Sequence, residues 1–323
     1  MLKAFLNNRS LILVFIPVII ALFCLLNWWS PYHLPHKTVG FGLWGNIPNQ
    51  ENRWFSMLAV IIISSSAILV NVVFNRNQFI EKNNYLPALL FTVLMSFFHS
   101  FYFLDGLVIS QLFILLSLIQ LLKLNQKEDG RRAVFNAAFL FGVAFTFFPV
   151  LLLGIPFLFL MIWINRPFIF RESMLAVAGV IIPMIYAGVF NYAFEKKVSL
   201  SDLNSSSKEI FTIDMWLVLI AGILFVLIGS KRLFYKFNVG LIKLKKTFRV
   251  LFLLTIMLSI LFLLDVLTYQ KVQSLSLLIT PLVLIIPYAF TEKRRTIIAS
   301  VLFYVVFAFS VSKFFVPFND LAF

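Results

Sequence analysis

The sequence predicts an all-α, polytopic integral membrane protein, a single membrane domain over 1–323 with about eleven transmembrane helices. Three observations predict it. The 323 residues are 61% hydrophobic and 12% charged, with a mean hydropathy of +0.98, whereas soluble domains carry about a quarter charged residues. Apolar runs near the ~20 residues that cross a ~30 Å hydrocarbon core recur along the chain. Finally, Lys and Arg gather in alternate connecting loops, as they do on the cytoplasmic side of membrane proteins.

The runs lie at roughly 11–28, 55–75, 85–104, 106–123, 173–194, 215–230, 250–268, 274–291 and 296–313. Backbone in lipid must satisfy its own hydrogen bonds, so these runs are predicted helices despite their Phe, Ile and Val. The first follows Lys3 and Arg9 as a signal sequence does. Asn27-Trp28-Trp29-Ser30-Pro31 is not a small-x-small cleavage site, so the run is expected to stay as the first span.

The stretch 133–165 runs 33 residues without a charge and is broken by Pro149, Gly154 and Pro156. As one helix it would reach roughly 50 Å, too long for a single span. Arg131 and Arg132 precede it while Arg166 and Arg171 follow it, so both ends belong on the basic side. A short hairpin or re-entrant pair turning near Phe148-Pro149 is therefore predicted.

With that fold-back and an N-in start, 20 of the 27 basic residues fall inside and seven outside. The seven are Lys37, Arg53, Lys196, Lys197, Lys208, Lys271 and Lys313. Acids divide as five inside and seven outside, with Asp265 within a span. One pass instead of two at 133–165 would invert every later loop and erase this asymmetry. The expected topology is N-in, C-out. It also removes the nucleic-acid reading of the net charge of +14, because the positive charge is spread over short loops and not gathered in one groove.

One basic segment has a pattern. In 231–249 (KRLFYKFNVGLIKLKKTFR), Leu233, Phe234, Phe237, Leu241, Leu244 and Phe248 share one helical sector that excludes every Lys and Arg. An interfacial amphipathic helix is predicted there, with Lys236, Lys243, Lys245, Lys246 and Arg249 touching inner-leaflet lipid or an acidic partner.

Residues able to carry chemistry are few. Glu51 and Asp105 are the candidate catalytic carboxylates, and Asp105, just before Gly106, equally fits a helix cap. The outer loop 29–54 is rich in Trp, and Trp28, Trp29 and Trp44 with His33, His36 and His99 are candidates to line a substrate crevice. Their ordinary role is the interfacial belt for Trp and structural hydrogen bonding for His. Asp265, near the end of its span, joins this list or pairs with Lys271. The loop 195–214 reads as a polar linker. His33-x-x-His36 lacks a nearby third ligand, and neither metal nor cofactor is expected. Cys24, alone among Leu and Phe, reads as packing.

The segments YLPALLFTVLMSFF at 85–98 and FNAAFLFGVAFTFFPVLLLGIPFLFLMIWINRPFIFRE at 135–172, with the Trp-rich first loop, resemble an uncharacterised family of multi-pass inner-membrane proteins of Bacteroidota. That resemblance implies the inner membrane of a diderm bacterium. The layout is also loosely similar to multi-span glycosyltransferases that use polyprenyl-phosphate sugars, which implies outer-face carboxylates at Glu51 and Asp105. It departs from them in having no Asp within 27–36. Three functions follow as expectations. The first is a non-catalytic subunit or scaffold of an envelope-biogenesis or secretion assembly, contacting lipid and other integral membrane proteins. The second is a glycosyltransferase-like enzyme using a polyprenyl-linked sugar at the outer face. The third is a transporter of lipid or small molecules.

Overall fold

The computed structural model describes residues 2–6, 10–30, 40–45, 53–124, 130–194, 213–269, 272, 274–291 and 293–315. Among these, all regular structure is helical. In chain order the helices are α1 (Leu2–Phe5), α2 (Phe15–Trp29), α3 (Arg53–Arg76), α4 (Leu86–Met95), α5 (Gly106–Lys123) and α6 (Arg131–Phe147), followed by α7 (Ile155–Asn165), α8 (Phe170–Ala193), α9 (Ile213–Val239), α10 (Ile242–Tyr269), α11 (Leu275–Ile285) and α12 (Lys293–Ser312). Seven helical stretches, in α2, α3, α5, α8, α9, α10 and α12, are long and apolar enough to cross a membrane.

Long and short helices occupy different places. The long ones other than α5, which has no exposed residue, form the perimeter and expose apolar side chains: Ile181, Ile185 and Val189 on α8, Ile220 and Leu227 on α9, and Ile297 and Val301 on α12. Surfaces of this size are a liability in water and ordinary in lipid. The short helices α4 and α11 sit at the centre. Every residue of α4 is buried, as is every residue of α11 except Leu282.

The runs expected as full spans at 85–104 and 274–291 are therefore each a short α-helix plus a 3-10 turn, at His99–Phe101 and Ile286–Phe290. Protein surrounds them, so non-helical backbone at this depth finds partners that lipid would deny it. Gln111 of α5 shows how: its Nε2 donates to the Ser276 carbonyl at 3.0 Å and to Thr280 Oγ1 at 3.1 Å on α11.

The helices meet at two ends. At one, here the aromatic end, Ser30 after α2, the turn between α4 and α5, the close of α6 and the residues after α12 come together. At the other, the basic end, Tyr288 donates to the Phe79 carbonyl, Arg295 donates to the Ile228 carbonyl at 2.8 Å, and Asn165 donates to the Leu121 carbonyl at 3.1 Å.

The stretch 133–165 leaves the basic end and returns to it. The helix α6 stops at Phe147, where Pro149 removes a donor, and a 3-10 turn over Pro149–Gly154 leads into α7. Arg166, just past α7, lies against Gly130, just before α6, so closely that a Cβ there would stand 2.0 Å from its guanidinium. The return packs α6 tightly against α8 through small residues: a Cβ at Gly179 would meet the Phe135 carbonyl at 2.9 Å, and one at Gly142 the Val180 carbonyl at 2.9 Å. Such close backbone approach is how helices associate where no hydrophobic force separates them from solvent.

The segment 231–249 is corrected by the structure. It is not one interfacial helix but the corner between two long ones, with α9 ending at Val239 and α10 starting at Ile242. Gly240 caps the turn, where a Cβ would stand 2.6 Å from the Lys236 carbonyl. The shared apolar sector is consequently split: Leu233 and Phe248 are buried, while Phe234 and Leu241 are exposed.

Candidate functional site

The aromatic end holds a group of polar side chains buried in the bundle, among them Ser30, Ser96, Ser100, Asp105 and Lys313. After α4 the chain turns through Ser96–Leu104, and Phe97, Phe98, Phe101 and Tyr102 are all buried. A turn sunk among helices must satisfy its backbone internally. The Ser96 carbonyl accepts from Tyr102 Oη at 2.7 Å and from Lys313 Nζ. The Ser100 hydroxyl donates to Asp105 Oδ2 at 2.5 Å, and the Val108 N–H donates to Asp105 Oδ1 at 2.8 Å.

Asp105 is thus the N-cap of α5, with extended backbone (φ −135°, ψ 172°). Both its oxygens are engaged, one by the helix and one by the preceding turn. A carboxylate held this way relieves an unpaired helix N–H and favours the positive end of the helix dipole. To accept a proton from an acceptor hydroxyl it would have to give up one of those bonds.

Lys313, one residue past α12, is also buried. Its ammonium lies 4.9 Å from the Tyr102 ring centroid, 5.2 Å from Phe314 and 5.3 Å from Phe97. Three ring faces and one carbonyl take the place of water around this charge, and the Asp214 carboxylate in the first turn of α9 attracts it. Next to it, Ser30 Oγ donates to the Phe314 carbonyl at 2.6 Å, and Phe23 of α2 meets Phe101 edge-on at 6.1 Å. The cluster therefore ties α2, the α4–α5 turn and the end of α12 together.

A second joint stands beside it. Gly42 has φ +60°, and a Cβ there would lie 2.5 Å from the Phe147 carbonyl, so only glycine fits. That lets Trp44 drop between α6 and α8, with its Nε1 donating to Thr146 Oγ1 at 3.1 Å and its ring stacked on Phe147 at 5.9 Å. Asn191 of α8 closes the joint by donating to the Leu43 carbonyl at 2.7 Å.

The candidate residues fall as follows. Asp105 and His99 lie in one buried turn, with His99 stacked on Phe103 at 4.5 Å. Trp44 is packed in the α6–α8 joint, while Trp29 is 85% exposed and Trp28 is partly exposed on α2. Asp265 is buried on α10. Glu51, His33, His36 and Lys271 lie outside the described residues. At the basic end, Lys236 pairs with Glu81 at 3.1 Å and Lys246 donates to the Asn165 carbonyl at 2.9 Å. Lys243 and Arg249 are exposed, and Lys245 is half-buried. Among the described residues, no three His, Cys, Asp or Glu side chains gather to hold a metal ion.

Sequence reasoning missed Lys313 and the Arg166–Glu172 ion pair, which spans 3.3 Å beside Gly130. The signal for Lys313 was present: a single cation between the uncharged apolar run 296–312 and Phe314-Phe315. For Arg166 only the fold-back brings it to Gly130.

The fold defines the class coarsely, as a helical membrane protein with several long apolar helices. No protein-family model, curated protein or solved structure matches the chain.

Proposed function

We propose that this chain is a non-catalytic integral subunit, a helical scaffold within an envelope-biogenesis or secretion assembly of a bacterial inner membrane. One observation carries the reading: the buried polar groups of the aromatic end bond helix to helix. Asp105 ties α5 to the turn before it, Lys313 joins α12 to the α4–α5 turn, and Trp44 bonds Thr146 of α6 while packing on Phe190 of α8. A rigid core of this kind, with apolar faces along α8, α9 and α12, presents broad lateral surfaces to neighbouring helices.

The proposed topology is eleven passes with the basic end in the cytoplasm and the aromatic end outside. It is supported by the way successive helices alternate between the two ends, and by Arg76, Lys123, Arg131, Arg132 and Arg166 lying together at one of them.

The test is twofold. Mild extraction from the native membrane should recover the chain in a stoichiometric complex with other integral membrane proteins; recovery as a lone monomer contradicts the proposal. Glycolipid profiles should be unchanged by Glu51→Ala together with Asp105→Asn, since Asn keeps the cap but cannot act as a base. Loss of one glycolipid would replace the scaffold with the glycosyltransferase reading, and loss of a solute flux in Asp265→Asn would replace it with the transporter reading.

A further inference from the structure

The basic end contains a cleft between the last turns of α3 and α5. Its walls are Val72, Ile119 and Leu122, and its rim carries Arg76, Asn77 and Lys123. Val72 is 43% exposed, so the cleft opens outward from the bundle along an apolar wall. The two cations come from different helices, each in its helix's last turn.

Like several cations of this end, they are not neutralised within the bundle; what they share is one apolar opening. Arg166 is paired with Glu172 and Lys236 with Glu81, whereas neither Arg76 nor Lys123 has an ion-pair or hydrogen-bond partner among the described residues. A helix C-terminus favours one cation at each end. It gives no reason for two unpaired cations to share the mouth of one apolar cleft. Like charges at one opening repel, and an anion between them removes that cost.

We propose that this cleft holds one anionic diacyl phospholipid of the leaflet at the basic end. The phosphodiester sits between Arg76 and Lys123, with the guanidinium able to bind it in bidentate fashion. One acyl chain runs along Val72 and Ile119. Asn77 donates its Nδ2 proton to the Val73 carbonyl at 2.8 Å, which leaves its Oδ1 on the rim as an acceptor for a headgroup hydroxyl. Basic pockets between spans on the cytoplasmic side recognise anionic headgroups in this way.

The inference rests on the membrane reading above, but not on which end faces the cytoplasm. The full chain is reconstituted in vesicles of phosphatidylcholine and phosphatidylglycerol in equal parts, with both lipids in both leaflets. Spin-labelled phosphatidylglycerol and phosphatidylcholine are then compared for the motionally restricted fraction. The wild type should prefer phosphatidylglycerol at one site on the order of tenfold. Arg76→Gln with Lys123→Gln should abolish the preference, and so should Val72→Trp, which fills the cleft and keeps both charges. Lys231→Gln with Arg232→Gln should leave it intact. Equal affinity for the two lipids in the wild type, or an equal loss in the Lys231/Arg232 variant, would overturn the site in favour of diffuse attraction. An inverted orientation would appear only in side-specific labelling and leave this result unchanged.

Discussion

The two ends of this bundle use charge in opposite ways. At the aromatic end Asp105 and Lys313 are buried and bonded to backbone and ring faces. At the basic end Arg76, Arg131 and Arg132 are exposed, and Lys236 pairs with a Glu81 whose side chain is 88% exposed; the Arg166–Glu172 pair beside Gly130 is the one buried exception among the described residues there. The difference shows which charges hold the fold. A buried charge joined to specific partners leaves an uncompensated group when one partner is removed. An exposed pair in high dielectric contributes little beyond orientation in the membrane.

Substitutions can break or sharpen that contrast. The largest effect belongs to Lys313. Lys313→Ala empties a space lined by Phe97, Tyr102 and Phe314 and should cost about 3 kcal/mol in reversible SDS unfolding. Lys313→Met fills the same space without a charge to desolvate, and the Ser96 carbonyl keeps its bond from Tyr102, but it strips the Asp214 carboxylate of its nearby cation, so it should recover only part of that loss. Equal losses in the two variants would show that the ammonium itself, and not the volume, makes the joint.

Next comes Gly106, the first residue of α5, where a Cβ would stand 2.4 Å from the Phe147 carbonyl. Gly106→Ala must push α6 away from α5 and should destabilise by about 2 kcal/mol, read in the same titration. Asp105→Ala should follow at about 1–2 kcal/mol through loss of the cap, while Asp105→Asn should stay near wild type. The smallest effect is expected at the basic end. Lys236→Ala should change stability by less than about 0.5 kcal/mol, because its carboxylate partner is solvated. A large loss there would erase the distinction between the ends.

Much of the fold was legible because lipid imposes few solutions. Apolar length marked α2, α3, α5, α8 and α12, and the Arg pairs flanking 133–165 required a return that the contact between Gly130 and Arg166 makes visible. The helix ends were less legible. Apolar length alone cannot separate a perimeter span from α4 or α11, since central helices need not cover the bilayer by themselves. Amphipathic spacing misled at 231–249, because a single glycine, Gly240, lets the chain reverse where periodicity implies continuity. Of the candidate site, the capping role of Asp105 was readable from Asp-Gly ahead of an apolar run. The cage around Lys313 was not, because Phe97, Tyr102 and Phe314 come from segments more than two hundred residues apart.

Side-specific thiol labelling tests the fold-back most directly. Cys24 is buried and is the sole cysteine, so a Cys24→Ser background is clean. Arg132→Cys before α6, Phe168→Cys after α7 and Tyr192→Cys at the end of α8 all lie at exposed positions. With an impermeant maleimide on intact cells and on inverted vesicles, the first two should react from the cytoplasmic side and the third from the opposite side. Reaction of Arg132→Cys and Phe168→Cys from opposite faces would contradict the return of 133–165, and with it the orientation of every later helix.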